Sequence, residues 1–268
     1  MKKILFHFSH YETLGHTTRI LHICQHLKHT YGKEVEIVVL QGGQKQEFVP
    51  FSDVHVVNIP EPIVDRSWIN STKRKIIDPD KIRKRVKFAI QFVKRYQPDV
   101  FVVEYFPFGR DLDRYEILPV LQYIREKDLP VRTISSVGYP ILNFPKEKLL
   151  SYAKYFDKIL IHTPEGLDRK YVEEAYEDVD RGSSALKEYR EVFSALSGKI
   201  NYTNYVLPYG VSRLSTEQAK KKIGFSGPLT LASRGGGVMY PRIISSSLQA
   251  GLPGKVIAGK CWKRCIPF

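Results

Sequence analysis

A chain of 268 residues, 43% hydrophobic and 12% aromatic, has ample material for a packed core, which excludes a disordered tail, a coiled coil or a collagen-like rod. It carries 42 Lys and Arg against 28 Asp and Glu, a formal charge of +14, and no stretch approaches the ~20 apolar residues of a membrane-spanning helix. Three cysteines cannot build a secreted-type disulfide framework, and the first apolar run stops at Ser9-His10-Tyr11-Glu12, too short for a signal core, so the chain reads as cytoplasmic.

Short apolar runs alternate with longer amphipathic ones. Ile4–Phe8 predicts a first strand. Thr17–Tyr31 predicts a helix, with Ile20, Leu21, Ile23, Cys24 and Leu27 at helical spacing and Gly32 at its end; Cys24 reads as a small buried hydrophobe. Val35–Leu40 and Val54–Ile59 predict two more strands. Asp80–Tyr96 predicts a strongly basic helix with Val86, Ile90 and Val93 on its apolar side. Val100–Val103 is a strand after Pro98-Asp99, and Leu112–Glu126 a helix that Pro119 threatens to divide. Further strands are expected at Val131–Ser135, Lys158–His162 and Tyr202–Leu207, with helices over Lys146–Lys154 and Leu167–Glu177. Strands alternating with helices imply an α/β fold, a Rossmann-like, doubly wound parallel sheet.

Pro208-Tyr209-Gly210 reads as a hinge after a first domain of residues 1–208. The remaining residues, 209–268, predict a short polar helix (Thr216–Lys222), a turn at Gly224–Pro228, a strand at Leu229–Ser233, a helix at Ile243–Ala250 and a strand at Lys255–Ile257. That is the opening βαβ portion of a second Rossmann-like domain, with about half of the ~100 residues such a domain needs. The expectation is that the second domain is truncated, or that the reading frame changes near Lys260, and that activity is impaired as a result.

Three motifs carry chemistry. Gly15-His16-Thr17-Thr18-Arg19 lies between the first strand and the first helix, at the carboxyl end of the sheet where α/β folds bind ligands. A helix N-terminus there suits anions, Gly15 permits close backbone approach, and Thr17 or Thr18 can cap the helix. His16 can act as base or hydrogen-bond donor, and Arg19 can meet a phosphate or carboxylate. A simple helix cap with a solvated His and Arg reads equally well. Arg234-Gly235-Gly236-Gly237, between a strand and a helix, offers N–H groups that can surround a phosphate; the competing reading is a flexible linker. Glu104-Tyr105-Phe106-Pro107-Phe108-Gly109-Arg110, after the fourth strand, brings a carboxylate toward the crevice that His16 faces, while Phe106 and Phe108 read at least as well as core.

Other chemistries fit badly. The first turn lacks G-x-G-x-x-G, the second strand ends in Gln41-Gly42-Gly43 without a ribose-binding acid, and no G-x-x-x-x-G-K-[ST] is present. Cys261 and Cys265 have no second pair or His nearby, which argues against zinc.

Charge is concentrated in two segments. Residues 65–95 hold eleven basic and three acidic residues, and the last 56 hold ten basic against Glu217 alone. The first segment, with Arg66, Trp68 and Lys73–Lys75 upstream of the basic helix, suits an anionic membrane surface, or else is a solvated face. No aromatic-and-basic nucleic-acid signature accompanies it.

Taken in order, these motifs resemble glycosyltransferases of the GT-B fold, near the MurG-like (family 28) group. Gly15-His16-x-x-Arg19 is similar to their first-helix Gly-His loop, and Glu104-Tyr105-Phe106-Pro107-Phe108-Gly109 to an acidic-x-Phe-Pro-Phe-Gly segment. Tyr202-Thr203-Asn204-Tyr205-Val206 resembles a Thr-Gly-Tyr-Val strand, with Asn204 where Gly is usual, and Arg234–Gly237 resembles the turn opening the second domain.

The resemblance implies transfer of a sugar from a nucleotide-diphosphate donor to an unknown, lipid-linked or other acceptor, without a cofactor or tightly bound metal. The first domain would bind the acceptor and the second the donor. It places His16 near the reacting centre and Arg234, Gly235, Gly236 and Gly237 by the donor phosphates; Glu104 is the other candidate base, and Gly15, Thr17 and Arg19 are candidate substrate contacts from their place at the helix start. The family's donor-ribose carboxylate has no counterpart, since no Asp or Glu follows Glu217. A nucleotide-sugar epimerase of the same fold and a non-catalytic binding protein for an anionic ligand are the alternatives.

Overall fold

The protein is represented by a computed structural model that describes residues 1–10, 15–43, 54–59, 78–109, 111–138, 140, 144–167, 182–210, 214–222 and 224. The chain divides into two compact units, one of residues 1–11 and 16–207 and one of residues 12–15 and 208–268.

Seven strands form one wholly parallel sheet in the first unit: β1 (Lys2–His10), β2 (Val35–Gly43), β3 (His55–Asn58), β4 (Val100–Glu104), β5 (Arg132–Val137), β6 (Lys158–Ile161) and β7 (Ile200–Tyr202). Their order is β3-β2-β1-β4-β5-β6-β7. The chain winds outward from β1 in one direction and from β4 in the other, so the order reverses between these two strands. This is the doubly wound, Rossmann-like α/β arrangement that the alternating pattern predicts; folds of this kind bind ligands beyond the carboxyl ends of the strands where the order reverses, here β1 and β4.

Period-2 alternation divides each strand between two apolar layers. Phe6, Phe8, Ile37, Val39 and Val102 face helix α1 (Gly15–Tyr31) and pack on its Ile20 and Cys24. Leu5, Val38, Leu40, Phe101 and Val103 face the opposite way. There they meet α2 (Pro79–Tyr96), α3 (Arg114–Glu126), α4 (Lys146–Ala153) and α5 (Gly182–Ala195) through Ala89, Val93, Ile117, Leu121, Leu149 and Val192. Phe6, Phe8 and Phe101 are all but inaccessible to solvent, each such burial contributing roughly 1.5–3 kcal/mol. Burial pushes the Cys24 thiol up to about 12, as suits a packing residue.

Local signals set the helix ends. Asp78 caps α2 by accepting from the N–H groups of Asp80 (2.9 Å) and Lys81 (3.3 Å), Pro79 occupies its first turn, and Gln97 closes it in the left-handed region at φ 51°. α3 runs unbroken through Pro119 and is preceded by a 3₁₀ turn at Asp111–Asp113, which takes up the start of the expected helix. α1 begins at Gly15, so Thr17 is buried within its first turn rather than at its cap.

There are three further differences from the sequence reading. β7 ends at Tyr202, short of the expected Leu207, because Asn204 takes a left-handed backbone, φ 58°, that cannot continue a strand. Helix α5 was not expected at all. Arg85, expected on a solvated basic face, is fully buried against α3. The expected helix at Leu167–Glu177 lies outside the described residues beyond Leu167.

In the second unit, helix α6 (Thr216–Lys222) begins where predicted; Ser215 caps it, its hydroxyl accepting from Gln218 N while Gln218 Oε1 accepts from Ser215 N. The later strands and helix expected there, the Arg234–Gly237 turn, the pair Cys261 and Cys265, and most of the basic loop before α2 lie outside the described residues.

Candidate functional site

The carboxyl edge of the sheet gathers polar side chains on the face that α1 covers. Glu104 is the last residue of β4, and its register partner Ser136 lies one residue before the end of β5. Because successive strand residues alternate faces, Glu104 and Ser136 share the side of Val102 and Ile134, which is the side of α1. His162 follows β6 on the same side, and Thr203 follows β7.

Glu104 sits at the centre of this cluster, 3% exposed. Its Oε1 receives His16 Nδ1 at 3.1 Å and the Arg19 guanidinium, and its Oε2 receives the Ser136 hydroxyl at 2.6 Å. Burial alone would raise the carboxyl. The charges of Arg19 and His16 and the hydrogen bonds from His16 and Ser136 outweigh it and hold Glu104 below its ordinary value. Of the two partners expected for Arg19, a phosphate or a carboxylate, the structure shows a carboxylate, that of Glu104. The Arg19 guanidinium lies against Gly138, where any Cβ would collide with it.

The ring of Tyr105 completes the cluster. It stands edge-on to His16, with centroids 5.0 Å apart, and lies 5.9 Å from the Arg19 guanidinium carbon. Tyr105 has φ 71°, an outlier for a bulky residue, at the point where the chain leaves β4. The following Phe106 and Phe108 are core: Phe106 packs with Phe144, Tyr152 and Phe156, and Phe108 with Phe193. Within this segment Glu104 thus pairs with His16, Tyr105 touches His16 while packing with the opposite apolar layer, and the two phenylalanines lie in that layer.

Behind Glu104, Ser136 Oγ lies 3.0 Å from His162 Nε2, and His162 Nδ1 lies 2.7 Å from Thr203 Oγ1. Burial pushes the His162 ring down to about 4; the charge of Glu104 works against this and that of Arg19 adds to it. Sequence reading did not single out Ser136 or His162, and it met Thr203 only as part of the Tyr202–Val206 segment, with no role at the site. The available signal was a polar residue closing each apolar run, Ser135-Ser136 after Ile134 and His162-Thr163 after Ile161.

A second buried polar cluster lies in the opposite layer. His7 Nε2 meets Glu116 Oε1 at 2.7 Å, and Arg85 Nε donates to Glu116 Oε2 at 2.7 Å, with Arg85 Nη2 in ion-pair contact with the same oxygen at 2.6 Å. Burial of Glu116 is outweighed by the charge and hydrogen bond of His7 and then by those of Arg85, so its carboxyl is held low.

His16, Glu104 and Arg19 are thus brought together; Thr17 is buried, and Gly15 is exposed, with nothing within 4 Å of where its Cβ would lie. Arg234, Gly235, Gly236 and Gly237 lie outside the described residues. Among the described residues no three His, Cys, Asp or Glu side chains cluster as a metal site, and no helix is long and apolar enough to cross a membrane. A cavity of about 670 Å³ opens at the amino ends of β4 and β5, lined by Val93, Tyr123, Leu129 and Val131 among others, at the opposite edge of the sheet from His16.

Sheet order, two-sided packing and a polar cluster at the switch point define an α/β protein of the Rossmann-like, doubly wound class. No protein-family model and no curated protein matches the chain. Among solved structures it is similar to MurG from Acinetobacter baumannii, at 12% identity over 96% of this chain and 86% of that one, with a TM-score of 0.44. It is also similar to UDP-GlcNAc 2-epimerase from Neisseria meningitidis bound to UDP-GlcNAc (12% identity, 95% and 64% covered, TM-score 0.41). A third is SsfS6, a glycosyltransferase from Streptomyces sp. SF2575 (11% identity, 97% and 82% covered, TM-score 0.41).

Proposed function

We propose that the chain is a glycosyltransferase of the GT-B type that moves a sugar from a nucleotide-diphosphate donor to an acceptor hydroxyl, and that its first unit carries the acceptor-activating residues. The observation that carries this reading is the His16–Glu104 pair at the crevice between β1 and β4. The motifs around those two residues are the ones that resemble the family.

In the proposed step, His16 donates Nδ1–H to Glu104, which leaves Nε2 in the basic tautomer. Nε2 takes the acceptor hydroxyl proton as that oxygen bonds to the anomeric carbon. The bond from the anomeric carbon to the phosphate oxygen breaks, and its electron pair leaves with the nucleoside diphosphate. The Glu104 carboxylate stabilises the resulting imidazolium. Of the two candidate bases, Glu104 is the weaker, since a carboxylate already holding three donors and kept below its ordinary pKa has little affinity for a further proton. We assign it the role of orienting His16.

The Arg234-Gly235-Gly236-Gly237 segment would receive the donor diphosphate, and the Lys84, Lys87 and Lys94 face of α2 would lie toward an anionic lipid surface if the acceptor is lipid-linked. The test is release of nucleoside diphosphate from a panel of UDP-, GDP- and dTDP-sugars with a membrane-lipid extract as acceptor source. Release that falls about 100-fold or more in His16→Ala supports the reading. A new sugar epimer formed without acceptor would replace it with the epimerase reading, and donor binding without turnover would replace it with a binding protein.

A further inference from the structure

We propose that His162, acting through Ser136, is a positioning residue of this site: it fixes the Glu104 carboxylate in the orientation that receives His16. The inference rests on the roles just assigned to His16 and Glu104.

Hydrogen-bond inventory sets the direction of the chain. Glu104, as a carboxylate, only accepts, and a serine hydroxyl has one proton to give. The 2.6 Å contact from Ser136 Oγ to Glu104 Oε2 takes that proton, so at 3.0 Å Ser136 Oγ can only accept, and His162 Nε2 must be the nitrogen that carries hydrogen. A neutral ring protonated at Nε2 has its acceptor at Nδ1, and the Thr203 hydroxyl, whose contacts with Ile161 O and Asn204 O are longer at 3.3 Å, donates there at 2.7 Å. Each donor in the series Thr203, His162, Ser136 thus points toward Glu104. The low affinity of the buried ring for a second proton agrees with this tautomer.

The series stands on rigid elements. Glu104 and Ser136 are register partners, His162 N–H donates to Val137 O at 2.7 Å, and Thr203 N–H donates to Ile161 O at 2.9 Å. Four neighbouring strands therefore place the four side chains in line. This matters because both the other donors to Glu104, His16 and Arg19, sit on Oε1 and on helix α1. The Ser136 bond to Oε2 is the contact that ties the carboxylate to the sheet and fixes its plane relative to α1.

A merely structural role for these residues would show as lost stability alone. The 268-residue chain labelled with ¹⁵N-histidine distinguishes the two, since long-range ¹H–¹⁵N spectra report each ring's tautomer. We expect His162 as the neutral Nε2–H form from pH 5.5 to 8 and His16 as a single Nδ1–H form. In Ser136→Ala, His16 becomes a mixture of tautomers, while Ser136→Thr, which keeps the hydroxyl, restores the single form. An Nδ1–H tautomer at His162, or a His16 spectrum unchanged in a Ser136→Ala chain with the parent's circular dichroism, overturns the proposal. If Ser136→Ala fails to fold, His162→Gln is scored by the same His16 signal.

Where a donor is turned over, Ser136→Ala lowers kcat about ten- to a hundredfold with donor KM unchanged; a rise in KM alone would count against positioning. If no donor is turned over, the transferase reading fails while the ring spectra still decide this one.

Discussion

Gly109 lies so close beneath the Tyr105 ring that no side chain fits between them: a Cβ at Gly109 would overlap two carbons of that ring. The chain turns back on itself after β4, and the ring it traps is the one that stands against His16. Gly109→Ala must therefore move Tyr105, which is 6% exposed and cannot simply swing into water. Overpacking of this kind costs about 1–3 kcal/mol. The check is denaturant unfolding together with the His16 ring resonances, and a variant of unchanged stability and unchanged His16 signals would show that the ring is not held as described.

The trio of His7, Glu116 and Arg85 gives a larger effect of defined sign. Arg85 and Glu116 are 0% and 1% exposed, so removing one partner leaves a buried charge without its compensation. Arg85→Leu is expected to cost about 3–5 kcal/mol, whereas the triple replacement of His7, Arg85 and Glu116 by apolar residues of similar volume should recover most of that loss. Urea unfolding of the two variants measures both. If the triple variant is the less stable one, the trio holds the fold by more than mutual neutralisation.

These two clusters also mark how far the sequence was legible. Strand and helix positions in the first unit follow from period alone, since Phe6 and Phe8 alternate with Leu5 and His7 and α1 repeats Ile20, Cys24 and Leu27. His16 was legible because it opens the first helix after a strand, and Glu104 because it directly follows an apolar strand run; a parallel sheet brings both positions to one edge. Arg85 was not legible, because the partner that draws it inward, Glu116, is 31 residues away and only the packing of α2 on α3 joins them. The line of Ser136, His162 and Thr203 was hidden for the same reason: each stands at or just past the end of a different strand, and the line exists only across the β4–β5–β6–β7 register. Helix α5 carries no start signal that its sequence made prominent.

His162 makes folding stability depend on pH. Its ring binds a proton at about 4 in the fold and near 6.5 when unfolded, so between those values the unfolded chain holds more protons and stability falls as pH falls. The loss is absent above pH 6.5 and complete below about 4, amounting to roughly 3 kcal/mol by the usual conversion. The groups facing the ring are Glu104, Arg19, Ser136 and Thr203. Glu104, held low, adds its own loss of stability at still lower pH, as its carboxyl protonates. Denaturant unfolding at several pH values should show a slope between pH 6.5 and 4 that is reduced in His162→Gln. An equal slope in the variant would assign the effect to other groups.

Asn204 provides the last test, of how the chain leaves the sheet. Its φ of 58° is the left-handed conformation that Gly adopts without penalty and Asn tolerates, and it follows directly on Thr203, whose hydroxyl meets His162. Asn204→Gly should therefore leave stability within about 0.5 kcal/mol, while Asn204→Val, with a branched Cβ in that region, should cost about 1–2 kcal/mol. Because the side chain is exposed, lost packing cannot account for such a difference. The same strain acts on Thr203, so Asn204→Val should also disturb the His162 ring signals and Asn204→Gly should not. Equal stability of the two variants would mean that residue 204 is extended in solution and that β7 runs on past Tyr202.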